Sequence, residues 1–238
     1  MKSAVILAAG IGSRLRPLTD KQPKCTVLIN EESLISRIVK QLISINKEIS
    51  IYIAIGYLAD KIIQELKDFR KNITFVVNQD YQTTNNMESC RMALEHLKDS
   101  QDPSLIINAD CIYDFEIVKL AYDSSNNGIC CDSSIYNDES MKIRLKHERV
   151  TDISKKIKND PSVATSIDLY TLNSQALKAL HTIMESYHQS GDLNQWTEVA
   201  IQELLTSHCF NALDISGKKW VEIDNHADLA YAKSIFKK

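Results

Sequence analysis

The chain has 238 residues, 44% of them hydrophobic and 25% charged, which is the balance of a soluble globule and excludes a disordered or low-complexity chain. A net charge of −3 supplies no overall basic field for nucleic acid. No apolar run approaches the roughly 20 residues that cross a bilayer, so no membrane partner is expected.

Residues 4–7 form a continuous apolar run and predict a buried strand. The run ends in a glycine loop, Leu7-Ala8-Ala9-Gly10-Ile11-Gly12-Ser13-Arg14, continued by Leu15-Arg16-Pro17-Leu18-Thr19 and closed by Pro23-Lys24. Gly10 and Gly12 let the backbone approach a ligand and reach φ values other residues resist. Backbone N–H groups in such a loop suit anions. Arg14 adds a fork of donors for a phosphate and Lys24 a compact positive charge. The loop lacks the Gly-Lys-Ser/Thr ending of a P-loop and the third glycine of the dinucleotide fingerprint. It reads as a cradle for a nucleoside triphosphate, with Leu7, Ala8, Ala9, Gly10, Gly12 and Ser13 as the contacting positions.

Apolar residues at 34, 35, 38, 39, 42, 43 and 45 predict an amphipathic helix over 34–45. Strands follow at 51–55, 73–77, 105–107 and 128–131, separated by helices at 59–69, 87–97 and 115–122. This alternation implies an α/β fold, Rossmann-like, with a mixed, mostly parallel sheet and helices on both faces. In such sheets ligands sit at the carboxyl ends of the strands, where the glycine loop and Asp110 both fall. Beyond residue 132 the pattern changes. Residues 141–145 and 150–157 predict a hairpin, 163–172 a strand, 174–189 and 197–205 helices, 210–215 and 219–223 a hairpin around Gly217, and 227–236 a closing helix. No linker or repeat appears. The chain therefore reads as a single domain over 1–238, with a first half (1–132) that carries the nucleotide loop and a second half (133–238) that holds a smaller antiparallel portion.

Six cysteines occur without C-x-x-C spacing and read as reduced thiols, with no zinc site. The first strand follows Met1-Lys2-Ser3 at once, so the expectation is a cytoplasmic protein without a signal peptide. Either a monomer or a homodimer fits the sequence. Two carboxylates follow apolar strands, Asp110 after Leu105-Ile106-Ile107-Asn108-Ala109 and Asp224 after Trp220-Val221-Glu222-Ile223. Carboxylates at strand ends can converge on Mg²⁺, which takes one or two of them plus substrate phosphates. Each could instead cap the helix that follows.

The string from Leu7 to Thr19, with Pro23-Lys24, resembles the signature of the nucleotidyltransferases that make sugar nucleotides and related activated alcohols (L-A-A-G-x-G-x-R-L-x-P-L-T, then P-K). The resemblance implies that a phosphate of an acceptor attacks the α-phosphorus of a nucleoside triphosphate and pyrophosphate leaves. It places Arg14, Lys24, Asp110 and Asp224 as catalytic, with both aspartates on the metal. Hexose 1-phosphate enzymes of this kind show G-T-A, G-D, E-K-P and G-x-Y segments. Here the corresponding segments are Asn85-Asn86-Met87-Glu88-Ser89-Cys90, Ala109-Asp110, Ile153-Ser154-Lys155-Lys156 and Asp168-Leu169-Tyr170. These departures are similar to cytidylyltransferases that activate phosphocholine or small phosphonates such as 2-aminoethylphosphonate. So are Met141-Lys142, Trp196-Thr197-Glu198 and the final Trp220-x-Glu222-Ile223-Asp224.

That resemblance implies CTP as the nucleotide and a small phosphate or phosphonate as the acceptor. Asn85 and Ser89 are then candidates for the base pocket, since cytosine needs acceptors for its amino group and a donor for O2, and Ala109 is a further nucleotide-binding candidate. Lys142 and Lys155 are candidate clamps on the acceptor phosphate. Asp132, Asp168, Glu198 and Trp196 are candidates for a cationic group, through carboxylate pairing and an aromatic face. The alternatives are a sugar-1-phosphate nucleotidyltransferase using UTP, dTTP, GTP or CTP, and a catalytically weak regulatory subunit on the same fold. The intact set Arg14, Lys24, Asp110 and Asp224 argues against the last.

Overall fold

A computed structural model describes residues 2–215 and 217–237. The strands β1 (Ser3–Ala8), β2 (Leu28–Ile29) and β3 (Glu32–Ser33) precede α1 (Leu34–Ile45). Then come β4 (Ser50–Ile55), α2 (Ala59–Glu65), β5 (Ile73–Val77), α3 (Asn86–Glu95), β6 (Ser104–Asn108), β7 (Cys111–Tyr113), α4 (Phe115–Asp123) and β8 (Gly128–Asp132). The remainder is β9 (Lys142–Lys146), β10 (Arg149–Ser154), β11 (Val163–Leu172), α5 (Ser174–Ser190), α6 (Thr197–Leu204), β12 (Phe210–Asp214), β13 (Trp220–Glu222) and α7 (His226–Ile235). The helix over 34–45 starts where Ser33 caps it, its side chain accepting from Ser36 N–H. The helix expected over 59–69 is shorter, α2 giving way to a 3₁₀ turn over Lys67–Phe69.

The main sheet has nine strands in the order β5-β4-β1-β6-β11-β8-β12-β10-β9. Strands β5, β4, β1 and β6 are parallel, whereas β11 runs antiparallel to β6 and to β8. Strand β9 pairs with both β10 and β11, so this end of the sheet curls back on itself. The residues of β1 alternate between two cores. Ala4, Ile6 and Ala8 pack toward α1, α2 and α4, while Val5 and Leu7 pack toward α3, α5 and α6. Burial on both faces explains why the strand reads as an unbroken apolar run.

One pairing differs from the sequence expectation. Residues 210–215 and 219–223 do not form a hairpin around Gly217. Strand β12 lies parallel to β8 within the main sheet. Strand β13 instead pairs antiparallel with β7, a short strand the sequence does not reveal. A third apolar cluster, including Leu15, Val27, Ile112, Val221 and Ile223, packs the glycine loop onto this two-stranded sheet. No helix among the described residues is long and apolar enough to cross a membrane. None of the described cysteines is disulfide-bonded; Cys25, Cys90, Cys111, Cys130 and Cys131 are buried and Cys209 is exposed.

Candidate active site

A cleft of about 360 Å³ opens at the carboxyl ends of β1 and β6. Its floor is the glycine loop. Gly12 sits at φ 67°, and a Cβ there would come within 2.7 Å of the Lys24 Cβ, so both the backbone angle and the packing require glycine. A Cβ on Gly10 would meet nothing within 4 Å. The Thr19 hydroxyl donates to Gly12 O at 2.8 Å, and the Tyr57 hydroxyl donates to Thr19 O at 2.8 Å. Two side chains thus pin the loop that carries Arg14.

Strand register brings the two aspartates together. Cys111 lies opposite Glu222 in the β7–β13 pair, and Ile223 N–H donates to Asp110 O at 2.9 Å. Asp110 therefore stands beside Asp224, although over a hundred residues separate them. Capping of α7 falls to Asn225, whose side chain accepts from Ala227 and Asp228 N–H. The carboxylate of Asp228 accepts from Asp224 and Asn225 N–H and fixes the turn.

The Lys24 ammonium donates to Asp110 Oδ2 at 2.9 Å and to Asp224 Oδ1 at 2.8 Å, and Arg14 Nη2 lies 2.8 Å from the same Asp224 oxygen. Burial opposes the charge on Lys24, but the two aspartates outweigh it and hold the ammonium above its usual range. Burial likewise works against ionised Asp224, yet the pull of Lys24 keeps its carboxyl below the usual range.

Glu222 completes this cluster. One carboxylate oxygen from each of Asp110, Glu222 and Asp224 lies within 4.8 Å of the others. Three hard oxygen donors suit Mg²⁺. The neighbouring group of Asp110, Cys111 and Asp168 suits it less, because Cys111 is a soft donor whose thiol is pushed well up by burial. Glu222 and Asn78 line the cleft without being singled out by the sequence. Glu222 had a legible signal, since residues 220, 222 and 224 alternate onto one side of an extended segment.

Burial, followed by Asp110 and Asp224, pushes the Glu222 carboxyl up to about 8 from 4.5. The folded state then holds a proton that the unfolded chain has released, so this contribution to stability is complete below about pH 4.5 and lost as pH rises through about 8. Glu222→Gln carries no such proton. In EDTA, the melting temperature of the variant relative to wild type is expected to rise steadily from pH 5 to pH 8. A difference that stays flat over that window would contradict the assignment.

At one end of the cleft, Asn85 caps α3 by accepting from Asn86 N–H at 2.8 Å. Asn86 Oδ1 accepts from Thr197 N–H, and Asn85 N–H donates to Leu193 O. The start of α3 is therefore stitched to the segment before α6. Ser89 is buried and accepts from Asn78 Nδ2 at 2.9 Å. Leu7, Ala8, Ala9, Ser13 and Ala109 line the same region.

Lys155, Asp168, Trp196 and Glu198 line the same cleft, with an Asp168 carboxylate oxygen within 4.8 Å of an Asp110 oxygen. The Lys155 ammonium lies 4.8 Å from the centre of the Trp196 ring. Asp168 occupies φ 59° at an irregularity in β11, the left-handed region that favours glycine. The Tyr170 hydroxyl reaches Glu198 Oε1 at 2.9 Å and Asp168 Oδ1 at 3.2 Å. Burial pushes both carboxyls up, and for Asp168 the neighbouring Glu198 adds to it.

Two of the sequence candidates lie apart from the cleft lining. Asp132 is buried and accepts from Trp220 Nε1 and Ser134 N–H, each at 2.9 Å. Lys142 is buried too; its ammonium donates to Asn137 O and Asp138 O and lies 5.3 Å from the centre of the Tyr136 ring.

The nucleotidyl transferase family model matches residues 3–237, and the chain belongs to that family. It is 25% identical over 97% of its length to the bifunctional protein GlmU of Methanococcus aeolicus, spanning 53% of that protein, about half. It is 28% identical to the CTP:phosphoglutamine cytidylyltransferase of Campylobacter jejuni, over 95% of this chain and 97% of the relative. The UTP–glucose-1-phosphate uridylyltransferase AglF of Haloferax volcanii is 22% identical, over 90% of this chain and 88% of the relative. The solved structure of the CTP:phosphocholine cytidylyltransferase of Streptococcus pneumoniae shares the fold, with a TM-score of 0.82, 23% identity and 99% of each chain covered.

Proposed function

We propose that this chain is a Mg²⁺-dependent cytidylyltransferase that transfers CMP from CTP to a small phosphorylated or phosphonate alcohol or amine and releases pyrophosphate. The observation that carries this reading is the convergence of Arg14, Lys24, Asp110 and Asp224 in a cleft that Lys155, Asp168, Trp196 and Glu198 also line. The whole chain acts as one domain. Residues 1–132 supply most of the nucleotide site, and residues 133–238 supply Asp224 and the acceptor side.

The loop from Leu7 to Ser13 cradles the triphosphate, and Asn85, Ser89 and Ala109 face the base. Arg14 and Lys24 hold phosphate charge. Mg²⁺, held by Asp110 and Asp224, would supply further positive charge at the α-phosphate and on the leaving group. An anionic oxygen of the acceptor attacks the α-phosphorus. The bond to the bridging oxygen breaks, and pyrophosphate carries its electrons away. No side-chain base is required, because the attacking oxygen is already ionised near neutral pH; positioning and charge do the work. Lys155 faces the acceptor phosphate, while Asp168 and Glu198 offer carboxylates to an ammonium. CTP is an intracellular nucleotide, so the reading places the reaction in the cytoplasm.

A hexose 1-phosphate acceptor is the second reading. It is favoured by the glycine-like backbone at Asp168 and by the uridylyltransferase among the relatives. With CTP, kcat/KM is expected to be higher for phosphocholine or 2-aminoethylphosphonate than for neutral 2-hydroxyethylphosphonate, and lowest for glucose 1-phosphate. Highest efficiency with glucose 1-phosphate would refute the small acceptor. Highest efficiency with the neutral phosphonate would keep the reaction and remove the cation contact.

A further inference from the structure

We infer that Lys24 is a built-in counter-cation that keeps divalent metal off the Asp110–Asp224 pair until a polyphosphate draws its ammonium away, so that metal and nucleotide bind cooperatively. The inference rests on reading these two carboxylates as metal ligands. Its basis is the occupancy of their oxygens. Lys24 donates to Asp110 Oδ2 and Asp224 Oδ1 at 2.9 and 2.8 Å, and Arg14 reaches the same Asp224 oxygen. An ion bound to those oxygens at about 2.1 Å would lie against an ammonium held by the same lone pairs. Both cations cannot keep that position, because their charges repel at so short a distance.

The two basic residues differ in freedom. The Arg14 side chain is 65% exposed and can swing into solvent, while that of Lys24 is 14% exposed. The Lys24 backbone is fixed by a 3₁₀ turn in which Val27 N–H donates to Lys24 O. Its stem is packed under Gly12. Only the end of the Lys24 side chain can move, and it leaves its two carboxylates only for another anion within reach. A triphosphate on the glycine loop is such an anion. Nucleotide binding would therefore expose the metal position, and metal binding would release Lys24 toward phosphate. Linkage makes the two effects equal. In the metal-free fold, the same ammonium offsets the repulsion between Asp110 and Asp224.

The test is Mn²⁺ binding to the nucleotide-free protein, by calorimetry or by the electron paramagnetic resonance signal of free Mn²⁺. Lys24→Met is expected to bind Mn²⁺ at least tenfold more tightly than wild type, whereas Lys24→Arg, which keeps the charge, stays as weak as wild type. Adding Asp110→Asn to Lys24→Met should abolish the gain. If Lys24→Met binds no more tightly while Asp110→Asn still weakens binding, the metal ligands stand and the counter-cation is refuted. If Asp110→Asn has no effect on Mn²⁺ in either background, the metal reading fails and the inference with it. Should Lys24→Met not fold, Asp110→Asn gives the reciprocal test. With one partner of Lys24 removed, it should bind CTP several-fold more tightly than wild type in EDTA, and an unchanged affinity would overturn the inference.

Discussion

Asp110→Asn and Asp224→Asn are each expected to lower kcat by about 10²-fold or more, the scale seen when a fixed charge is removed from a reaction centre. The change is isosteric, so the loss falls on charge. The β7–β13 register places the two residues side by side through backbone bonds that asparagine leaves intact. The Asn225–Asp228 capping box that shapes the turn is likewise untouched. Folding should therefore survive, with some loss of stability from the buried Lys24 giving up one charged partner. Steady-state kinetics with saturating Mg²⁺, alongside thermal melts, separates the two effects. Near-normal turnover in either variant would mean that its carboxylate is not a metal ligand.

Lys24→Ala and Arg14→Ala should also cripple turnover, with the larger loss at Lys24. Lys24 is the more buried of the two and is packed by Gly12, so water and neighbouring side chains are poorly placed to replace it. A loss of about 10²-fold in kcat is expected for Lys24→Ala, by the same charge argument. Lys24→Arg should recover little of it. A planar fork keeps the charge near the two carboxylates but does not present it to phosphate as a compact ammonium does. The measurement is kcat and KM for the nucleotide in each variant. Full activity in Lys24→Ala would remove the glycine loop from triphosphate chemistry.

The sequence reveals most where a signal is local. The apolar run over 4–7 and the glycine loop after it follow from composition alone. Spacing and the Ser33 cap define α1. Where register decides, the sequence is silent. Strand β7 has three residues, too short for a pattern, and its pairing with β13 is what joins Asp110 to Asp224. The apolar runs flanking Gly217 look like a hairpin because adjacent strands often pair, but β12 pairs in parallel with β8 in the main sheet. Charged residues hide their partners in a different way. Lys142 looks like a phosphate clamp in sequence, but in the fold the carbonyls of Asn137 and Asp138 satisfy its ammonium. Asp132 satisfies an indole N–H instead of facing the cleft. Long-range partners such as these cannot be read from spacing. Glu222, by contrast, shares the alternation of Asp224 and was available to the sequence as a third carboxylate.

The most direct test of the account is pyrophosphate release from CTP, UTP, dTTP and GTP, each offered with phosphocholine, 2-aminoethylphosphonate and glucose 1-phosphate. A base pocket built on hydrogen bonds mispairs with the wrong pyrimidine and leaves polar groups unsatisfied. Release is expected with CTP and a small phosphate or phosphonate, at least about tenfold faster than with UTP, because of that mismatch. Equal or faster release with UTP, dTTP or GTP on glucose 1-phosphate would contradict it.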